Sequence, residues 1–168
     1  MKALLRITLI ALFLVTQSVL ASQNYNVIMI NTFEPLVNYS INIETTKIHS
    51  CFTQLTPPKF SLPSKPNPVS VFNIIGDNGG SCQNKEKFIK WKVSLNTETL
   101  SPCELTFRMI SHSSIENPVI IWDWAVETAG QCHVTMAKCG GKDCLNKRVA
   151  VGLEPQLPIV EIVMNKSH

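Results

Sequence analysis

Four lysines and two aromatic residues crowd one short stretch of the chain. Lys85, Lys87, Lys90 and Lys92 surround Phe88 and Trp91. Strand alternation places Phe88, Lys90 and Lys92 on one face and Trp91 on the other. An aromatic ring between two lysines can meet an anionic glycan or the headgroups of a membrane. The opposing reading is a solvated face whose lysines discourage strand-to-strand aggregation. Phe88, Lys90 and Lys92 are therefore the candidate binding residues.

A second cluster is Cys132-His133, Cys139 and Cys144. Thiolates and imidazole suit zinc, but this spacing fits no common zinc module, and disulfides are the favoured outcome after export. No metal and no cofactor is expected. Hydrolytic chemistry would rest on His112 or His133. Ser111-His112-Ser113-Ser114 lies next to a turn signal, and no Gly-x-Ser-x-Gly elbow accompanies it. Asp123 and Glu127 would stand roughly 13 Å apart on a strand, too far for a glycosidase pair. An enzyme is the less favoured class. Gly76-Asp77-Asn78-Gly79-Gly80 lacks the Lys-Ser/Thr ending of a phosphate loop and reads as a hairpin loop. Trp122-Asp123-Trp124 puts two indoles on one strand face. Ile120 and Val126 share that face, so a core position is expected for both.

Residues 1–21 read as a secretory leader. Lys2 and Arg6 precede an apolar run from Ile7 to Val15, and small residues end at Ala21. Residues 22–168 then form one exported domain, secreted or periplasmic. Removing the leader leaves 13 basic and 12 acidic residues, so global charge gives no case for nucleic acid. No later apolar stretch approaches the length of a membrane-spanning helix. Asn38-Tyr39-Ser40 and Asn165-Lys166-Ser167 match the glycosylation pattern.

The six cysteines are Cys51, Cys82, Cys103, Cys132, Cys139 and Cys144. Fifteen pairings exist. Pairing in order is favoured because short separations close most readily, and the two longer loops would contribute roughly 3 kcal/mol apiece.

Those groups must be positioned by strands. Period-two alternation runs through Val37–Glu44, Phe88–Leu95, Leu105–Met109 and Ile120–Val126. Further strands are expected at Val27–Ile30, Lys47–Thr53, Val69–Ile75, Cys132–Ala137, Arg148–Leu153 and Ile159–Met164. Glu116-Asn117-Pro118, Gly140-Gly141 and Glu154-Pro155 supply turns. Five prolines between Pro57 and Pro68 argue for a stiff connection over Gln54–Pro68, pinned by Phe60 and Leu62. The expected fold is all-β: an antiparallel two-sheet β-sandwich of about nine or ten short strands, stabilised by disulfides.

From Ile30 to about Val93 the chain resembles the aegerolysins, small secreted β-sandwich proteins that bind membrane lipids. The matching elements are Asn31-Thr32 before a strand with Leu36, then Pro57-Pro58, Phe72, and Gly79-Gly80 before another strand. The resemblance implies lipid recognition. The family pattern has glycine and an aromatic residue where this chain has Ser50-Cys51-Phe52. From the Phe88, Lys90 and Lys92 patch of an exported chain, the expected function is non-enzymatic binding of a membrane surface or glycan outside the cytoplasm. The alternative is a protein–protein interaction or inhibitor module.

Overall fold

The computed structural model describes residues 22–33, 39–66, 68–77, 79–82, 84–96, 102–113, 120–151 and 159–165. The leader, Leu36, Asn38 and the turns at Glu116-Asn117-Pro118 and Glu154-Pro155 lie outside these. The described residues hold twelve strands. They are β1 (Ser22–Asn31), β2 (Ser40–Ile48), β3 (Phe52–Gln54), β4 (Lys59–Pro63), β5 (Val69–Asp77), β6 (Lys87–Leu95), β7 (Cys103–Ser113), β8 (Ile120–Ala129), β9 (Val134–Cys139), β10 (Lys142–Asp143), β11 (Val149–Val151) and β12 (Ile159–Met164). A 3₁₀ turn, Gly80–Cys82, precedes β6. Among the described residues no helix is long and apolar enough to cross a membrane.

The strands form two six-stranded sheets. Sheet I runs β10-β9-β12-β1-β5-β3, and sheet II runs β11-β8-β7-β6-β2-β4. From β1 to β6 the chain changes sheet at every connection, and then β6, β7 and β8 meander within sheet II. All strand pairs are antiparallel except β1 with β12, where Val27 lies beside Val160 in parallel register. This departs from the all-antiparallel expectation. The two strands sit near opposite ends of the chain, so no short hairpin fixes their relative direction.

Three other expectations need correction. Lys47–Thr53 is not one strand: the chain breaks between Ile48 and Phe52, and Cys51 there is bonded to Cys82. The proline-rich connection contains a strand of its own, β4, at the edge of sheet II beside β2. Proline is tolerated there because an edge leaves one row of N–H groups unused, and Pro63 closes the strand. The glycine-rich segment after Ile75 is not a hairpin loop, because β5 and β6 belong to different sheets.

Alternation sets the core. Tyr25, Val27 and Met29 of β1, Phe72 and Ile74 of β5, and Val160, Ile162 and Met164 of β12 are buried from sheet I. Ile89, Trp91 and Val93 of β6, Leu105, Phe107 and Met109 of β7, and Trp122, Trp124 and Val126 of β8 are buried from sheet II. Rings from the two sheets touch: Tyr25 meets Trp124 edge-on with centroids 5.4 Å apart, and Phe72 meets Trp91 at 5.6 Å. The indole N–H groups of Trp91, Trp122 and Trp124 find no acceptor among the described residues. Each offsets its packing gain by about 1 kcal/mol or more.

Asn31 ties the sheets by polar contacts. Its side chain is buried, its amide nitrogen donates to the Leu62 carbonyl at 2.9 Å, and its oxygen accepts from the Phe33 N–H at 3.1 Å. The cysteines pair in sequence order, Cys51–Cys82, Cys103–Cys132 and Cys139–Cys144. Three such bonds belong in an oxidising, non-cytoplasmic environment. Gly140, with φ of 54°, turns β9 into β10. A Cβ there would stand 2.6 Å from a Val151 methyl group, so both backbone and space demand glycine.

Candidate functional site

Strand parity gives β6 two unlike faces. Lys87, Ile89, Trp91 and Val93 are buried, whereas Phe88, Lys90 and Lys92 point to the outer face of sheet II. That arrangement follows from alternation, yet each outward residue meets a different neighbourhood.

Phe88 is enclosed by cations. Lys47 Nζ lies 5.4 Å from its ring centroid and the Arg108 guanidinium carbon 5.8 Å, while the His49 ring packs edge-on at 5.6 Å. Arg108 in turn pairs with Glu127 at 2.6 Å and Glu86 at 3.5 Å, and Arg148 also reaches Glu86 at 3.0 Å. Lys90 is paired with Glu104. Of the lysines read in the sequence, Lys90 is matched by a carboxylate of β7, whereas Glu127 of β8 and Glu86 before β6 hold the neighbouring arginines, Arg108 and Arg148. Sequence reasoning missed them because cross-strand register is non-local. Lys92 is exposed, and it makes no ion-pair contact among the described residues, although its charge acts on Glu44.

Lys92 belongs to a polar array over β4, β2 and β6. Backbone register lines up Ser61, Asn42 and Ser94 in one row and Lys59, Glu44 and Lys92 in the next. The rows are two residues apart on each strand, so all six side chains share the outer face. They border a shallow groove of about 380 Å³, with Ile43 and Phe60 completing the lining. Ser61 Oγ donates to Asn42 Oδ1 at 2.6 Å, and Lys59 pairs with Glu44 at 2.8 Å. The hydrogen bond from Lys59 holds the Glu44 carboxyl below its ordinary pKa. The Asn42 amide N–H groups and the Ser94 hydroxyl have no hydrogen-bond partners among the described residues, and the Lys92 ammonium acts on the Glu44 carboxylate through its charge alone. Two lysines against one glutamate leave the groove with one excess positive charge.

The other sequence candidates fall elsewhere. Trp122 and Trp124 are buried in the core, as expected. His112 lies on β7 opposite Ile121 in backbone register. His133 adopts a positive φ of 52° and meets Phe33 edge-on at 5.7 Å. Cys132, Cys139 and Cys144 are consumed by disulfides and offer no thiolate. Among the described residues no group of three or more His, Cys, Asp or Glu could hold a metal ion. Glu127 is engaged by Arg108, on the same outer face as the binding candidates.

Lys87 is the unforeseen residue. Its side chain is fully buried, with Nζ 5.0 Å from the Trp122 ring centroid. Burial pushes its pKa down to about 8, partly opposed by the charge of Asp77. The signal was present in the sequence, since Lys87 has the same parity as Ile89 and Trp91.

No protein-family model, no curated protein and no solved structure matches this chain.

Proposed function

We propose that this chain is an exported, non-enzymatic binding protein whose β4-β2-β6 groove takes a glycan bearing a carboxylate or sulfate group. Its two sheets would stack as a disulfide-pinned β-sandwich, giving the groove a rigid floor. The supporting observation is the two-by-three polar array around Asn42, Glu44 and Lys92. Sugar hydroxyls both donate and accept hydrogen bonds, which suits unpaired amide and hydroxyl groups beside a fixed carboxylate. Lys92 would meet the acidic substituent, and the Lys59–Glu44 pair would be held ready for neighbouring hydroxyls.

A membrane surface is the ligand that the aegerolysin resemblance implies. Two features of this face favour the sugar. Phe88 is wrapped by Lys47, His49 and Arg108, and none of the exposed large apolar residues among those described is aromatic. Phe88, with Lys47 and Arg108 around its ring, and Lys90 would then border the groove, with Lys92 as the direct contact.

Calorimetric titration with a sulfated disaccharide tests the reading. Lys92→Glu is expected to weaken binding at least tenfold, about 1.4 kcal/mol. Raised ionic strength should weaken the native protein in the same direction. Equal affinity for the variant and the native protein would refute it, provided both melt at the same temperature.

A further inference from the structure

The row that holds Lys92 continues past the groove. Backbone register sets Lys59, Glu44, Lys92 and Glu104 side by side on β4, β2, β6 and β7. Charge therefore alternates in sign across four strands. Both carboxylates are held by lysines other than Lys92: Lys59 pairs with Glu44 at 2.8 Å, and Lys90 pairs with Glu104. The Lys59 hydrogen bond does most to lower the Glu44 pKa, and the charge of Lys92 acts in the same direction.

The surroundings of Lys92 can be followed in every direction. Neighbouring strands stand about 4.8 Å apart, and same-face residues stand about 6.8 Å apart along a strand. Across the sheet, the next positions are Glu44 on one side and Glu104 on the other. Along β6, the next outward positions are Ser94, which is uncharged, and Lys90, which Glu104 already engages. The other lysine of the groove, Lys59, lies two strands away and is engaged by Glu44. A second acidic group on the same ligand thus meets a carboxylate, a neutral side chain or a lysine already in an ion pair.

We infer that Glu44 and Glu104 restrict the groove to ligands with a single acidic group flanked by hydroxyls, and turn away densely charged chains. This deepens the proposed glycan site and rests on it. Like charges about 5 Å apart in water repel by enough to lower affinity roughly fourfold at low salt. Glu44 has two effects on the ligand. Ionised and held by Lys59, it accepts hydrogen bonds from hydroxyls beside the acidic group, and it repels a second acid placed there. Selectivity of this kind comes from a repulsive element set beside an attractive one. The same lysines without these cross-strand carboxylates would favour polyanions.

Calorimetric titration of the intact, disulfide-bonded protein with two probes tests the inference. One probe is a disaccharide carrying one sulfate, and the other is the same disaccharide carrying three. The native protein is expected to treat the two alike or to prefer the single sulfate. Glu44→Gln keeps a hydrogen-bond acceptor, removes the negative charge and releases Lys59. It should shift the ratio of affinities toward three sulfates by roughly fourfold or more. Should that variant melt early, Glu104→Gln replaces it, since it releases Lys90 and should move the ratio the same way. A native preference for three sulfates, or a ratio that the folded variant leaves unchanged, would overturn the inference while leaving the glycan site standing. Binding of neither probe would overturn the glycan reading and the inference with it.

Discussion

The outer face of sheet II is laced with ion pairs, Lys59 to Glu44, Lys90 to Glu104, and Arg108 to both Glu86 and Glu127. The outer face of sheet I presents Val69, Val71, Ile28 and Ile30, with Glu161 and Lys138 at one side. Both are built on the same alternation and share one core, so fold alone does not account for the difference. A solvated face gains nothing from two-sided apolar strands, and a covered face gains nothing from exposed lysines. The contrast supports the proposed recognition of a polar ligand by the face of sheet II. It also shows why a basic stretch read along one strand misleads. On sheet II Lys90 is matched by Glu104 of the neighbouring strand and Lys87 points inward, so the useful donors are the ones that remain.

The largest expected effect breaks both faces at once. Asn31→Ala removes the buried hydrogen bond to Leu62 that joins the sheets and the local one from the Phe33 N–H. It leaves buried backbone groups unpaired and should cost about 2–3 kcal/mol in urea unfolding. If the sheets share one frame, glycan binding and the near-ultraviolet signal of the core are lost in one transition. Loss of binding ahead of that signal would mean that the two sheets unfold separately.

A smaller effect separates the two faces of one strand. Lys87 and Lys92 both lie on β6, one buried and one exposed. In the folded protein Lys87 has a pKa of about 8, against 10.5 as its ordinary value. Between those values the unfolded chain binds the extra proton, so stability rises with pH across that window. Below pH 8 the cost of holding a buried charge is fully present. Lys87→Met should stabilise the protein by about 1–2 kcal/mol at pH 7 and flatten that rise. Glycan affinity should not change. A variant that is destabilised at pH 7 would show that Lys87 makes contacts worth more than its burial costs.

Much of this architecture is legible in the residues. Alternation alone places Ile89, Trp91, Val93, Trp122 and Trp124 inward, and the shorter separations favour, without fixing, the sequential cysteine pairing that the structure has. What it misses depends on long-range pairing. Nothing local says that β1 and β12 meet in parallel, or that β4 returns to sheet II within a proline-rich stretch. Nothing local places Ser61 and Asn42 beside Lys92, so half the groove is invisible until β4, β2 and β6 are side by side. The face of sheet I was open to reading, because Val69, Val71 and Ile75 are apolar on the parity opposite Phe72 and Ile74. Two-sided apolar strands looked like ordinary core until the sheet order gave them one unburied side.

The most direct test of the account is an amide chemical-shift titration with a sulfated disaccharide. Saturable shifts are predicted at Asn42, Glu44, Ser61, Lys92 and Ser94, with Ile28, Val71 and Glu161 unmoved. Shifts that cluster on sheet I, or that never saturate anywhere, would contradict the assignment of the groove.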